Sequence, residues 1–317
     1  MDRAGNIVIG DSSAEFLFMH DDAIKRIAGH ESWANPLKAC ACGIRELMDF
    51  NVKHPLFGEG PVTLLVPSKT LRRNNVEIAS RYIADEFPAK SFFELRNGLY
   101  MVMPECMFTL AASRLPLPAL VALGVNLCGR FYLAGPDDEI RRRSNFLATP
   151  ESLLAYAQAA AYRRGASKAE QAVRFIAPNS GSPAETQTWV QFCMPMRHGG
   201  MGLGFTHMNY DVKAGRLAQL TTQNEFCIDF VDVISHKALE FDGKEYHIDA
   251  GKDKRRRNDL KMLGWDVYPI DGASLYHPDE TIRCAKQLAR IMGKRFRPPK
   301  GWEKRFIALR ESIDLPV

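Results

Sequence analysis

The chain has 317 residues, 46% of them apolar and 25% charged, with a formal net charge of +5. That length suits about two domains of ~150 residues each, and that composition excludes a disordered or low-complexity chain. The mildly basic balance permits an anionic partner without requiring one.

In chain order, Met1–Asp11 carries acidic residues early and no basic segment followed by an apolar core, so it predicts no secretory signal. A helix is expected near Asn35–Phe50. It holds Cys40 and Cys42, but no second pair or nearby His offers zinc-finger spacing, and the seven scattered cysteines read as reduced thiols of a cytoplasmic protein. Gly58–Pro67 reads as a strand. Ser91–Met103 reads as two short strands joined at Asn97-Gly98, a strong hairpin dipeptide. Pro104–Arg114 and Pro118–Leu127 read as helices. The apolar stretch around the second, Leu115–Leu127, contains two prolines and is far shorter than the ~20 residues of a membrane span, so it predicts a buried helix. Residues 1–148 thus read as a small α/β domain. Within it Asp137–Asn145 is charged and predicted to be solvated. Thr149-Pro150-Glu151 opens a helix to about Gly165, and Ser167–Ile176 forms another, so residues 149–180 read as a helical connector between two lobes.

Asn179–Ser182 reads as a boundary loop before a domain over 181–317. Ser182 at N-cap, Pro183 at N1 and Glu185 at N3 form a capping-box pattern. The Gly-rich run His198–Phe205 does not sit between a strand and a helix with a later ribose-binding acid, so it predicts a mobile loop at a domain edge and not a dinucleotide site. β-type runs follow at Asn209–Val212, Ala218–Leu220 and Phe226–Ile234, the last pairing with Lys237–Asp242 across a tight turn. A helix over Asp253–Leu263 ends at Gly264, Trp265–Ile270 is a strand, and Pro278–Met292 is a final amphipathic helix before a basic tail.

The chemistry concentrates in Cys227–Ile270. Strand alternation puts Glu240 and Asp242 on one side and Leu239 and Phe241 on the other. A two-residue turn at Ser235-His236 sets Asp229 opposite Asp242 and diagonal to Glu240. A three-residue turn brings Asp232 over instead. The first is preferred because Ile228 and Phe230 then share the apolar face with Leu239 and Phe241, leaving Asp232 near a strand end. Three converging carboxylates survive only with raised pKa values or a bound cation. Oxygen ligands suit Mg2+ or Mn2+, the usual ions of phosphoryl chemistry. The competing reading is a solvated acidic hairpin face. His247 is a candidate proton carrier, although a lone histidine after a strand also reads as a surface residue. Lys252, Lys254, Arg255, Arg256 and Arg257 form a basic run suited to backbone phosphates. Arg283–Arg305 holds nine basic residues and one acidic, with Phe296 and Trp302 between them as candidates for stacking on bases. The alternative for both basic segments is a solvated surface.

Taken in order, Ser182-Pro183-Ala184-Glu185, Asp229, Glu240-Phe241-Asp242-Gly243, His247, and Asp253, Arg256, Leu260, Gly264 and Trp265 resemble the PD-(D/E)xK nuclease superfamily, specifically its Vsr-like branch of very-short-patch-repair type endonucleases. The resemblance covers about Ser182 to Ile291. It implies a restriction-endonuclease-like mixed sheet flanked by helices, with Asp229 and Glu240 holding the metal and Asp242 beside them. Glu185 assists, or only caps its helix. Asp242 stands where many members carry the lysine that polarises the attacking water, which leaves Lys244, His247 or a basic residue of the next helix for that role. The implied activity is Mg2+- or Mn2+-dependent endonucleolytic hydrolysis of DNA, in phage defence or mobile-element biology, with RNA as a weaker alternative substrate. The rival expectation is a non-catalytic DNA-binding regulator or antitoxin on the same scaffold. Val62–Val66, Gly98–Met103 and Pro104–Leu115 resemble regions found before Vsr-like domains and parts of type IV abortive-infection antitoxins, which implies target recognition, regulation or a protein partner for the N-terminal half.

Overall fold

The computed structural model describes residues 5–40, 60–84, 86–96, 98–242 and 250–317, with the backbone alone at Asp242 and Ala250. The chain divides into two compact α/β units, one of Met1–Leu115 with Asn126–Arg174, the other of Pro116–Val125 with Phe175–Val317. The expected α/β class with mixed sheets is therefore present. No described helix is long and apolar enough to cross a membrane.

The first unit contains β1 (Ile7–Ile9), α1 (Asp11–His20), α2 (Ile24–Ile27), β2 (Glu31–Ser32), β3 (Val62–Val66), β4 (Ile78–Tyr82), β5 (Phe92–Arg96), β6 (Leu99–Val102) and α3 (Pro104–Ala111). After α4 (Leu117–Leu127), most of which belongs to the second unit, the first unit continues with β7 (Phe131–Ala134), β8 (Glu139–Arg142), α5 (Pro150–Ala159) and α6 (Ala166–Val173). Its main sheet runs β2-β5-β6-β1-β3-β4, with β1 parallel to β6 and antiparallel to β3. β1 is apolar at all three positions because it is central and buried on both faces. The β5–β6 hairpin falls where Asn97-Gly98 suggested, although Asn97 itself lies outside the described residues. The helix expected over Asn35–Phe50 is a 3-10 turn at Pro36–Ala39 as far as Cys40, and 41–50 lie outside the described residues.

One expectation for this unit is corrected. The helices of 149–180 are not a free connector: α5 and α6 belong to the first unit. The reason is their anchoring. Thr149 and Ser152 close a reciprocal capping box, and Ser152 Oγ also donates to Glu105 Oε1 of α3 at 2.8 Å. The charged stretch Asp137–Asn145 is solvated as expected, its strand β8 exposed throughout, except that Arg143 just beyond the strand is buried and donates to the Phe18 carbonyl.

The second unit holds α7 (Pro183–Cys193), β9 (His207–Lys213), β10 (Glu225–Asp232), β11 (Lys237–Asp242), α8 (Ala250–Met262), β12 (Asp266–Asp271), α9 (Gly272–Tyr276), α10 (Pro278–Ile291) and α11 (Trp302–Ser312). Its sheet order is β12-β11-β10-β9, antiparallel except for the β11–β12 pair. A parallel pair needs a crossover connection, and α8 lies in it. Phe226, Ile228, Val231, Ala238, Leu260 and Trp265 form one buried cluster that joins sheet and helix.

Ala218–Leu220 is not a strand. It sits in the β9–β10 loop, which is held by Ala214 N donating to Asn224 O and by Thr222 N donating to Asp259 Oδ2 of α8, both at 2.9 Å. Nor is the helix after Pro278 the last: the basic tail continues into α11, which buries Trp302, Phe306 and Leu309 at helical spacing. The Gly-rich loop is not a mobile edge either. Met201, Leu203 and Phe205 are buried, and Met201 N and Leu203 N donate to the carbonyls of Gln191 and Phe192 at 2.9 Å. Trp302 Nε1 bonds to Gly200 O at 3.0 Å. The glycines are there for close approach: a Cβ on Gly199 would run into the Arg305 carbonyl, and one on Gly200 into that of Met194.

Candidate functional site

β10 and β11 pair with Phe230 opposite Leu239, Val231 opposite Ala238 and Asp232 opposite Lys237. The turn is therefore Val233–His236, longer than the two residues expected. Asp232 builds it, accepting from Ile234 N at 3.2 Å and Ser235 Oγ at 2.7 Å. His236 closes it with φ of 53° and stacks on Trp265, ring centroids 4.9 Å apart. Extending the register one step sets Asp229 across from Glu240, not Asp242. Asp232 is a turn residue, as its position near a strand end suggested. Asp242 ends β11 opposite Asp271, and its side chain lies outside the described residues, as do Gly243, Lys244 and His247 in full.

Asp229 and Glu240 line one concavity of about 200 Å3 together with Asp253, Arg256 and Arg257 of α8, Phe241 and Pro269. Asp229 Oδ2 accepts the Phe241 amide at 2.8 Å. Burial pushes the Asp229 carboxyl up to about 7; the Phe241 amide bond opposes this, the charges of Glu185 and Glu240 add to it, and Arg256 partly offsets it. Arg256 Nη2 donates to Glu240 Oε1 at 2.6 Å and to Cys227 O at 2.5 Å. Arg256 is thus a partner of the carboxylate and not one of the outward-facing cations. Lys252, Lys254, Arg255 and Arg257 are exposed.

Ser182 caps α7, and the Glu185 carboxylate closes the loop before it without completing a capping box. Ser182 Oγ accepts from Glu185 N and donates to Glu185 Oε1, each at 3.1 Å, while Gly181 N donates to Oε2 at 2.8 Å. Burial raises its pKa. Two residues that sequence reasoning passed over orient it. Asn209 Nδ2 donates to Glu185 Oε2 at 2.5 Å and to Asn179 O at 2.8 Å; Asn179 Nδ2 returns a bond to Asn209 O at 2.8 Å. Both asparagines have left-handed backbone, with φ of 79° and 46°. Asparagine tolerates that conformation better than most residues, which was the one signal available in Asn179-Ser180-Gly181.

In the basic tail, Trp302 is 3% exposed and stacks on Phe306 with centroids 5.0 Å apart. Phe296 packs edge-on against Trp302. Trp302 is therefore a core residue with no face left for a base.

Among the described residues no group of three His, Cys, Asp or Glu side chains is arranged to hold a metal. Two carboxylates are present. Mg2+ keeps several waters and is commonly held by one or two carboxylates, so the donor set at Asp229 and Glu240 fits such an ion. The raised Asp229 carboxyl is the electrostatic condition that a nearby cation relieves. No family model, curated protein or solved structure matches this chain.

Proposed function

We propose that the second unit is a metal-dependent endonuclease domain of the PD-(D/E)xK, Vsr-like kind, hydrolysing phosphodiester bonds of DNA, with RNA as the alternative substrate. The observation that carries this reading is the concavity where Asp229 and Glu240 face the basic helix α8. Asp229 and Glu240 would hold Mg2+ or Mn2+, which when bound supplies a hydroxide at neutral pH and stabilises charge on the phosphate. Arg256 and Arg257 are positioned to meet a phosphate entering the same concavity, and the exposed Lys252, Lys254 and Arg255 to track the flanking backbone. Glu185 acts by holding the loop before α7 and by the charge that tunes Asp229, and not as a ligand. A cytoplasmic setting and a place in phage defence or mobile-element biology rest on the resemblance alone, as does a recognition, regulatory or partner-binding role for the N-terminal half.

A second reading is favoured by a specific contact. The Arg256–Glu240 ion pair supplies a positive charge where a metal would sit, which suits a DNA-binding regulator or antitoxin that keeps the scaffold without turnover. Incubation with plasmid, linear duplex, single-stranded DNA and RNA in Mg2+ or Mn2+ separates the two. The nuclease reading expects cleavage that Asp229→Ala and Glu240→Ala each abolish. Cleavage that survives both substitutions removes the site assignment. Salt-sensitive retention of uncut DNA supports the regulator.

A further inference from the structure

The first unit carries a concavity that none of the chemistry above uses. It measures about 370 Å3, within the usual range for small-ligand sites, and its lining includes Arg81, Arg163, Arg164, Tyr82, Tyr162 and Glu86. β4 supplies Arg81 and Tyr82, and the turn between α5 and α6 supplies Tyr162 to Arg164.

The guanidiniums are held in different ways. Arg81 is fixed, with Nη1 on Asp11 Oδ1 at 2.6 Å and Nη2 on Ser113 Oγ at 2.9 Å, so its charge is largely matched. Arg163 stacks over the Phe87 ring at 3.7 Å and donates from Nη2 to Ala84 O at 3.1 Å. Its Nε is buried with no acceptor among the described residues. Arg164 is exposed and makes no hydrogen bond or ion pair among the described residues. With Arg81 matched by Asp11, two arginines stand against Glu86 among the described lining residues, which leaves those residues net positive.

The aromatic rings are the second half of the pattern. Tyr82 is 43% and Tyr162 56% exposed, well above what a packed tyrosine shows. Tyr162 also lines a neighbouring open concavity with Trp33, Tyr100 and Lys38, where Trp33 is 74% exposed and Lys90 Nζ lies 4.7 Å from its ring centroid. Exposed rings beside cations, repeated across two adjoining hollows, match the chemistry of stacked bases and tracked phosphates.

We propose that the first unit binds nucleotides, the phosphate against Arg163 and Arg164 and the base on Tyr162 or Tyr82, as successive units of a single strand whose next base reaches Trp33. This site is separate from Asp229 and Glu240 and does not depend on the nuclease reading.

The test uses the full chain in EDTA, so that binding is read whether or not the protein cleaves. A single strand carrying 5-iododeoxyuridine is photocrosslinked and the modified peptides are mapped. Labelled single strand, duplex and mononucleotide are titrated in parallel by anisotropy. Crosslinks are expected at Tyr82, Tyr162 or Trp33. Tyr162→Ala should weaken single-strand binding by about five- to a hundredfold, the range of one base stack, and Arg164→Glu should weaken it as well. Competition by mononucleotide at similar concentration assigns the site to free nucleotide, and competition by oligomers alone assigns it to a strand. Crosslinks confined to the Lys252–Arg257 region, duplex preferred over single strand in both variants and wild type, or unchanged binding by Tyr162→Ala and Arg164→Glu each overturns the proposal.

Discussion

Asp229 carries a carboxyl that the fold moves out of its ordinary titration range. An unfolded aspartate titrates near ~3.9, while burial pushes the folded carboxyl up to about 7. Because the folded value is the higher, the folded state holds a proton that the unfolded chain has released between those pH values. Its stabilising contribution is complete below about pH 4 and is lost as pH rises through about 7. Asn keeps the neutral form and can still accept from the Phe241 amide. The full linkage for this displacement is about 4 kcal/mol, and partial solvation of the carboxyl brings the expected gain for Asp229→Asn at pH 8 to about 2 kcal/mol. Urea unfolding in EDTA at pH 4.5 and pH 8 measures it. A variant that gains equally at both pH values would show that ionisation of Asp229 carries no penalty. Arg256 teaches a related lesson. In the sequence it is one of five similar cations. What singles it out is the helical phase that turns it to Glu240 while Arg255 and Arg257 face water.

At the level of elements, strands and helices with strong local signals stand where the sequence puts them. Ser182-Pro183-Ala184-Glu185 opens α7, and Gly264 follows the end of α8 with φ of 89°. Register was not legible in the same way. The loop length between β10 and β11 is set by the Asp232 side chain and by His236 stacking on Trp265, a residue that arrives about thirty positions later. The Gly-rich loop has a similar explanation. By sequence its glycines fit a mobile loop, and it is α11 against Gly199 and the Met194 carbonyl against Gly200 that hold it in place. Gly200→Ala is accordingly expected to cost about 2–4 kcal/mol, as overpacking against backbone does. Gly202→Ala meets no close backbone and should cost about 1 kcal/mol for its positive φ. Chemical denaturation of the two variants makes the comparison, and equal losses would argue against close packing as the reason for Gly200.

For the whole molecule, a formal charge of +5 is modest, so any affinity for nucleic acid should depend on where the charge sits. Replacing Lys252, Lys254, Arg255 and Arg257 by Ala removes four cations from one helix. If they track duplex phosphates, the slope of log affinity against log salt should shrink by about 3.6, at ~0.9 per phosphate. Removing four exposed cations elsewhere, Lys25, Arg72, Lys286 and Lys304, lowers the total charge equally and should leave that slope nearly unchanged. Equal effects from the two sets would mean that bulk charge, and not α8, governs binding.

The sequence by itself determined the α/β class, most helices and strands of the second unit, the Ser182 cap of α7 and the concentration of acidic and basic groups between Cys227 and Arg257. These follow from local periodicity, capping chemistry and charge spacing, which act over a few residues. Only the tertiary structure decided that Asp229 faces Glu240, that Arg256 belongs to the carboxylates, that Trp302 is core and that α5 and α6 belong to the first unit. Each of those depends on contacts between residues far apart in the chain, whose strength comes from burial that no local pattern encodes.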